Sequence, residues 1–559
     1  MSDETSERPR RPLRETVCDI DREILKLVLQ RHNLVARMAS ARGRLSPQEE
    51  RYLRESWESQ VAKVSADPNL STRFFTLLQE VEFLPKPSEE APQKRTAFGL
   101  APIQKPVHVQ LEAPKDQEQT QLWAALAATT GQPLRITQVL MNDAVSDCVR
   151  MFNQFGCALH RDDGDVLSAS ASTPAATPDK ILHVGDSAFN FYLAVALYLG
   201  RPSHAKFSGG PSLKLADFSA LRHFLPSLGA RLISLVPRND GLPVRIESSG
   251  LLPDVITLTP DLPLDFVTCL IAAAPFYQKE LTMDCEALIG DEAEERISST
   301  LDLLAQAGLS CTREGMRLHF VPGTVELPAQ PALGMDLCAS TVLLALAAVN
   351  AGEVTLTGLW PQTPAAAAVA DLLAQLGLEL QADDGTVSLK ADPSFQMNGA
   401  QLTVPAALPA ELAPLPFAFA CIQALKYGQA SLPAGTSTDP DVVSQYGSFA
   451  RACGLDLTDE GLRPWGGDEP AGTPAWTAPS PMWACALALA ACARPASRGF
   501  FLNNPGILTG LYPAFWPLYN ALPEPGLRRV QQATLPVRER RRIITKSVAQ
   551  LTPRPEDED

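Results

Sequence analysis

The sequence predicts a short all-helical module followed by an α/β body of two domains, and three observations support this fold class. Residues 1–85 carry apolar residues at helical spacing. Six almost wholly apolar helical segments recur along the rest of the chain. Between them, five amphipathic segments each end in a glycine that strand-like residues follow. We therefore expect six βαβαββ-type repeats, three in each domain.

The bulk composition is that of a soluble globular protein. The chain has 559 residues, no apolar run of 18 residues and no apolar leader, so we expect a cytoplasmic protein that is not bound to a membrane. Its formal charge of -15 argues against general affinity for nucleic acid. The 11 cysteines show neither C-x-x-C pairs nor histidine ligand spacing, so we expect reduced thiols and no metal site.

The N-terminal module, residues 1–85, is expected to contain three helices. Apolar residues recur every three or four positions over residues 13–42, which predicts one long helix. Ser46 and Pro47 supply an N-cap and a first-turn proline for a second helix through about residue 64. A third helix is expected over residues 71–85. Because three thin helices enclose little core, we expect a homodimer formed through this module.

The remaining boundaries follow from composition. Residues 86–104 are rich in proline, alanine and charge, which predicts a linker. Residues 114–321 are expected to form one domain of the body, and residues 105–113 together with 322–526 the other. Residues 527–559 are a polar tail that contains a basic run at residues 538–542. The simplest interpretation of that run is a solvated tail.

Five glycines are predicted to end helices in the left-handed conformation. They are Gly156, Gly229, Gly308, Gly377 and Gly454. An acidic residue and a second glycine then predict a tight hairpin turn in each copy. These pairs are Asp163-Gly164, Asp240-Gly241, Glu314-Gly315, Asp384-Gly385 and Glu460-Gly461.

Units of this kind resemble the enolpyruvyl transferase fold, and specifically 5-enolpyruvylshikimate-3-phosphate (EPSP) synthase. Local matches to that family occur at Gly209-Gly210-Pro211-Ser212-Leu213 and at Gly241-Leu242-Pro243-Val244. The resemblance implies that shikimate-3-phosphate and phosphoenolpyruvate bind in the cleft between two three-repeat domains, without a cofactor. Two anionic substrates require a site rich in lysine and arginine.

Only part of such a site is expected here. The resemblance implies catalytic roles for Lys115, at the start of the first buried helix, and for Asp336, at the position of the family's general base. The alternatives are a solvated cation and a helix N-cap. Other family positions have lost their polar or cationic groups and fall at residues 185–189, Tyr192, residues 263–265, residues 439–442, residues 479–481 and Gly510. We expect no metal site at Asp265, Asp439 and Asp441.

The N-terminal module resembles the all-helical chorismate mutases through Leu13-Arg14-Glu15, Ile20-Asp21, Ile24-Leu25 and Gln30-Arg31-His32-Asn33-Leu34-Val35. That family rearranges chorismate without a cofactor by clamping its carboxylates and donating to its ether oxygen. The resemblance implies chorismate-binding roles for Arg14, Arg31, Arg42, Arg51 and Lys86. The alternative is that these residues form exposed salt bridges on long helices.

Three functions stay open on the sequence alone. The first is an enzyme of aromatic amino-acid biosynthesis in which one or both activities are altered. The second is a pseudoenzyme, a scaffold or regulatory partner of pathway enzymes, because the core is kept while cations are lost. The third is a transferase for another acceptor, such as a nucleotide sugar.

Overall fold

A computed structural model describes most of the body and part of the N-terminal module. The described residues are 105–162, 165–171, 181–237, 239–277, 279–458, 460–465, 475–493 and 500–523, together with 47–61, 63, 97–100 and helical positions between 23 and 35. Helix α1, Pro47–Val61, begins at the proline predicted to lie in a first turn. Arg14, Arg42, Lys86 and the helix expected over residues 71–85 lie outside the described residues.

The first domain alternates helices with short strands. Strands β1 (Phe98–Leu100) and β2 (Val107–Glu112) precede it. Its elements are α2 (Gln117–Thr130), β3 (Leu134–Ile136), α3 (Asp143–Gln154), β4 (Leu159–Asp162), β5 (Val166–Ala169), β6 (Ile181–His183), α4 (Ala188–Leu199), β7 (Pro202–Ser208), α5 (Pro211–Leu215), α6 (Ser219–Phe224), β8 (Ala230–Ser234), β9 (Val244–Ser249), β10 (Val255–Thr257), α7 (Leu264–Ala273), β11 (Leu281–Asp284), α8 (Asp291–Gln306), β12 (Cys311–Glu314) and β13 (Arg317–Phe320).

The second domain continues the same alternation. Its elements are α9 (Leu337–Asn350), β14 (Gly352–Thr357), α10 (Pro364–Gln375), β15 (Gln381–Asp383), β16 (Thr386–Ala391), α11 (Pro414–Tyr427), α12 (Pro440–Ala452), β17 (Leu455–Thr458), β18 (Gly461–Pro464), α13 (Pro481–Cys492), β19 (Phe500–Leu502) and α14 (Phe515–Tyr519). No helix among the described residues is long and apolar enough to cross a membrane.

Three four-stranded sheets share one strand order. They are β6-β7-β9-β8 and β10-β11-β13-β12 in the first domain and β2-β14-β16-β15 in the second. In each sheet the first two strands are parallel and the other pairs are antiparallel. The recurrence of one order in separate parts of the chain indicates a repeated folding unit. Since β2 pairs with β14, residues 107–112 belong to the sheet of the second domain, although they precede the first.

Apolar helices fill two separate cores. Helices α2, α4 and α7 lie in one core, which Trp123 and Phe191 occupy without exposure to solvent. Helices α9, α11 and α13 lie in the other, around Phe417 and Phe449. Each of these helices is buried on nearly all sides, as a helix without a polar face must be. Two independent cores define two domains.

The turn predictions were partly confirmed. All five helix-ending glycines have positive φ. Glu314-Gly315 and Asp384-Gly385 join adjacent hairpin strands. The tight turn expected at Asp240-Gly241 is wrong, because nine residues, Leu235 to Pro243, separate the end of β8 from the start of β9. There Asp240 pairs with Arg222 at 2.6 Å, and a Cβ on Gly241 would lie 2.4 Å from the Lys214 carbonyl oxygen. Close packing, not a hairpin, requires this glycine.

The segment expected to be a linker contains a strand. Phe98, Gly99 and Leu100 pair antiparallel with β19, and Trp476 bridges the other side of β19 in parallel. Leu100 is 1% exposed, and the Phe98 ring lies 4.7 Å from that of Trp516. The last unit therefore takes its third strand from the chain that precedes the first domain. A three-residue strand gives too short an alternation to be recognised from sequence.

Candidate functional site

Two chain segments cross between the domains side by side. Lys115 forms an antiparallel bridge with Met335. The Asp116 amide donates to the Gly334 carbonyl at 3.0 Å, and the Asp336 amide donates to the Pro114 carbonyl at 2.8 Å. This pairing brings together Lys115 and Asp336, the two positions that the sequence singled out in the body.

Asp116 and Asp336 each cap the first buried helix of a domain. The Oδ1 atom of Asp336 accepts from the Ala339 amide at 2.8 Å, and that of Asp116 accepts from the Gln119 amide at 2.8 Å. Burial raises the pKa of Asp336 to about 7, and the charge of Asp116 adds to this rise. Burial also raises the pKa of Asp116, which the Gln119 amide and the charge of Arg296 oppose. The N-cap role is therefore present, and a pKa near neutrality is compatible with proton transfer.

Lys115 is half-buried beside the crossing. Its Nζ atom lies 3.5 Å from the Leu333 carbonyl oxygen. Burial lowers the pKa of Lys115, and the charge of Glu112 partly offsets this. The ammonium therefore points along the crossing toward backbone.

Arg296, on α8, is the cation that sequence reasoning missed. Its Nη1 atom donates to Asp265 Oδ1 at 2.7 Å and to Glu118 Oε2 at 3.1 Å, and its Nε lies 3.6 Å from Glu292. The guanidinium therefore joins α8 to the first turns of α2 and α7. Nothing local distinguishes this arginine from a solvent-facing charge on an amphipathic helix, so only the tertiary structure identifies it.

Carboxyl groups predominate around this arginine. We call Asp116, Glu118, Asp265, Asp336 and Glu411 the carboxylate cluster. Burial raises the pKa of Glu118 to about 8; the charge of Arg296 limits the rise, while Asp265, Asp116 and Glu411 add to it. The mutual influence of these groups shows that they share one region. A site for anions needs the opposite sign of charge.

The resemblance places residues 185–189 at the family's phosphoenolpyruvate loop, and in the structure internal contacts hold this segment. Gly185 has a φ of +71°, and a Cβ there would lie 2.0 Å from Asp147 Oδ2. Ser187 caps α4 by accepting from the Asn190 amide at 3.2 Å, and Asp186 accepts from the Leu213 amide at 3.2 Å. These groups stabilise the local fold.

The resemblance places Tyr192 at a position where the family has an arginine. It is 6% exposed, and its ring packs against those of Phe191, Phe218 and Phe266. Burial, with the charge of Asp265 nearby, raises the pKa of Tyr192 to about 12. A neutral phenol in an aromatic core does not replace a guanidinium as an anion ligand.

A second contact joins the domains near the start of α2. Thr509 Oγ1 donates to Asp143 Oδ2 at 2.7 Å. The side-chain amide of Asn142 donates to the Gly510 carbonyl at 3.4 Å and to the Gln117 side chain. Gly510, which aligns with a family lysine, thus supplies a backbone acceptor to an interdomain hydrogen bond.

The other candidate residues have local contacts of their own. Asp439 caps α12 by accepting from the Asp441 amide at 2.9 Å, and no acidic, cysteine or histidine group within the described ranges could hold a metal ion. On α1, Arg51 pairs with Glu55 at 2.9 Å, and its side chain is 82% exposed. Arg31 is half-buried at one of the described helical positions between residues 23 and 35.

A profile for EPSP synthase (3-phosphoshikimate 1-carboxyvinyltransferase) matches residues 102–430, more than half of the chain. The chain belongs to the EPSP synthase family. A 3-phosphoshikimate 1-carboxyvinyltransferase of Methanococcoides burtonii is 22% identical over 288 residues, covering 51% of this chain and 66% of that relative. One from Aliivibrio fischeri is 25% identical over 306 residues, covering 53% and 70%. The chain thus spans about two thirds of the length of these relatives.

Solved structures show the same fold. An EPSP synthase from Acinetobacter baumannii gives a TM-score of 0.58 at 16% identity, covering 75% of this chain and 96% of that one. The enolpyruvyl transferase NikO from Streptomyces tendae gives 0.52 at 14% identity, covering 75% and 95%. The expected two-domain α/β fold is therefore confirmed. The repeat count of six and the chorismate mutase-like module stay predictions.

Proposed function

We propose that this chain is a shikimate-pathway protein whose cleft does not catalyse enolpyruvyl transfer, and that it acts as a scaffold or regulatory partner of pathway enzymes. The observation that carries this proposal is the carboxylate cluster at the interdomain crossing. Lys115 faces a carbonyl and Arg296 is held by Asp265 and Glu118. Shikimate-3-phosphate and phosphoenolpyruvate would meet carboxyl groups where they need cations.

The binding free energy lost with these cations supports this proposal. A hydrogen bond to a charged group contributes about 1.5–3 kcal/mol, so the loss of five or six such contacts at the diverged family positions removes roughly 8–18 kcal/mol of binding free energy. Micromolar affinity corresponds to only about 8 kcal/mol of binding free energy. The pKa of Asp336, near 7, would still allow proton transfer, but a base contributes nothing to turnover when the substrates do not bind beside it.

Phosphate release from shikimate-3-phosphate and phosphoenolpyruvate tests the proposal. We expect the purified full chain to release no phosphate above background, with an active member of the family assayed in parallel. Asp336→Asn and Lys115→Met variants make the result decisive. Turnover by the full chain that both substitutions abolish would restore the enzymatic interpretation and contradict ours.

A second function, chorismate isomerisation, is favoured by the sequence pattern of the N-terminal module. We propose that Arg14, Arg31 and Arg51 clamp the carboxylates of chorismate and that Arg42 and Lys86 donate to its ether oxygen, in a homodimer formed through this module. Loss of chorismate absorbance in the full chain measures the activity. Arg31→Ala should reduce kcat/KM by at least about 100-fold, the effect of losing roughly 3 kcal/mol of transition-state stabilisation.

Lys63→Ala provides the control, because Lys63 is exposed and donates to the Gln60 side chain on the same module. Equal activity of the Arg31→Ala and Lys63→Ala variants, or no activity in the full chain, would rule out the mutase proposal. Sedimentation velocity of the full chain tests the homodimer.

A further inference from the structure

The outer faces of the three four-stranded sheets differ in how their charges are paired. In two of the sheets, the central strands place an acid directly opposite a base on the face that points away from the core. These pairs are Asp284 with Arg317 and Glu353 with Lys390. In the sheet β6-β7-β9-β8, Lys206 of β7 stands directly opposite Arg245 of β9. Like charges in this position are destabilising, and the other two sheets fold without such a pair, so the fold does not account for it.

The two cations lie in one row with two isoleucines. Ile181 of β6 is paired with Lys206, and Ile233 of β8 is paired with Arg245. Residues directly opposite each other share a face of the sheet, so the row across the four strands reads Ile181, Lys206, Arg245, Ile233. Ile181 is 56% exposed and Ile233 is half-buried. We call these four residues the basic row.

The face around the basic row carries an excess of positive charge. Arg231 adds a third cation, and Glu247, the acid on the paired strands of this face, binds Arg245 at 2.7 Å. Three cations and one carboxylate leave an excess of two positive charges, in a chain whose formal charge is -15. Among the described residues, no carboxylate pairs with Lys206. Such a face attracts carboxylates of a partner, whereas the acidic remainder of the chain repels a polyanion such as nucleic acid or an anionic membrane.

The spacing of the basic row matches one face of an α-helix. Adjacent strands lie about 4.8 Å apart, so the four residues of the row span about 14 Å. Helix positions i, i+4, i+7 and i+11 lie on one face, one in each turn, and span about 16 Å. A helix that lies across the strands can therefore place two acids against Lys206 and Arg245. Aliphatic residues one turn before and one turn after these acids then contact Ile181 and Ile233.

We propose that the basic row docks a helix of a partner protein, and that one face of this helix carries two acids between two aliphatic residues. Each cation of the row pairs with one acid, which relieves the repulsion between Lys206 and Arg245. The isoleucines supply apolar contact at both ends of the row. None of these residues belongs to the crossing, so the inference stands whether or not the cleft turns over substrate.

Fluorescence anisotropy of a labelled peptide tests the docking. The probe is an alanine-rich helical peptide of about 20 residues with leucine, glutamate, glutamate and leucine at positions i, i+4, i+7 and i+11. The full chain should bind it with a Kd below about 1 mM. Lys206→Glu should weaken binding at least about tenfold, because one attraction is lost and one repulsion is gained. Replacement of both glutamates of the peptide by glutamine should weaken its binding to the unaltered chain.

A peptide of opposite charge pattern tests whether Lys206 contacts the helix directly. With lysine in place of one glutamate, the peptide should bind the Lys206→Glu chain more tightly than it binds the unaltered chain. A Lys206→Glu chain that binds both peptides equally would contradict a direct contact.

Lys390→Glu, in the central strand pair of the second domain's sheet, is the matched control. Lys206→Glu replaces a like-charge pair by a complementary one and should not lower the melting temperature, whereas Lys390→Glu stands opposite Glu353 and should lower it. Peptide affinity should show the opposite pattern, reduced by Lys206→Glu and unchanged by Lys390→Glu. Equal peptide affinity in the three proteins, or no binding with a Kd below about 1 mM, would overturn the proposal. Phosphatidylserine vesicles that bind the unaltered chain but not Lys206→Glu, without any binding of the peptide, would instead identify a membrane surface and would also overturn it.

Discussion

Replacement of Arg296 by methionine removes the guanidinium that joins α8 to α2 and α7 in the first domain. The Arg296 Nη1 atom lies 2.7 Å from Asp265 and 3.1 Å from Glu118, and these side chains are 28–36% exposed. Exposed ion pairs contribute about 0.2–1 kcal/mol to stability, whereas loss of one partner of a buried pair costs about 3–5 kcal/mol. The exposure of the Arg296 pairs lies between these two cases. We therefore expect Arg296→Met to lower the free energy of unfolding by about 2 kcal/mol.

A double-mutant cycle isolates the pair. Because burial raises the pKa of Glu118 to about 8, this side chain is mostly protonated at pH 7, and Asp265 is the principal ionic partner. The cycle of Arg296→Met, Asp265→Asn and the double variant should give a coupling of about 1 kcal/mol between the two residues. Urea unfolding followed by circular dichroism measures it. A coupling under about 0.3 kcal/mol would refute the claim that Arg296 is committed to an internal ion pair.

Other substitutions test the cap, the added strand and the parallel strand pair. The pKa of Asp336 is raised from 3.8 to about 7 in the folded protein, so its contribution favours folding below pH 4 and is lost as pH rises to about 7. Asp336→Asn keeps the helix cap and should remove most of the loss of thermal stability between pH 4 and pH 7, as measured by thermal melts. Asp439→Asn, at an exposed cap, should leave that loss unchanged. An equal loss of stability in the two variants would contradict this prediction. Leu100→Ala should cost about 2–4 kcal/mol in urea unfolding if β1 completes the last unit, and no cost would refute that role. Gly352→Ala should lower the free energy of unfolding by at least about 2 kcal/mol more than Gly385→Ala does. Both glycines have positive φ, but only at Gly352 would a Cβ lie 2.1 Å from the Val107 carbonyl oxygen. Equal losses of stability in the two variants would contradict the clash.

The parts of the fold that the sequence predicted are those that local chemistry determines. A helix apolar on all sides has to be buried, and a glycine that follows an amphipathic helix readily adopts the left-handed conformation. Asp240-Gly241 and β1 were missed because tertiary contacts decide them. Asp240 pairs with Arg222, and the three residues of β1 are held by β19 from the far end of the chain. Neither contact leaves a local signature.

The sequence predicted the candidate site only at positions that can be matched along the chain. Lys115 and Asp336 lie at helix starts whose position along the chain could be matched, and the structure places them side by side at the crossing. Asp265 lies at a position where the resemblance implies a lost polar group, and the structure adds that it binds Arg296. The roles of Arg296 and Glu118 depend on three helices that meet in space, which no spacing within one helix records.

Calorimetric titration of shikimate-3-phosphate into the full chain, with and without phosphoenolpyruvate, tests the central claim most directly. The carboxylate cluster predicts no binding tighter than about 1 mM, which corresponds to roughly 4 kcal/mol of binding free energy. Binding at micromolar affinity that Asp336→Asn or Lys115→Met weakens would show that the cleft still holds its anionic substrates, and would contradict the account.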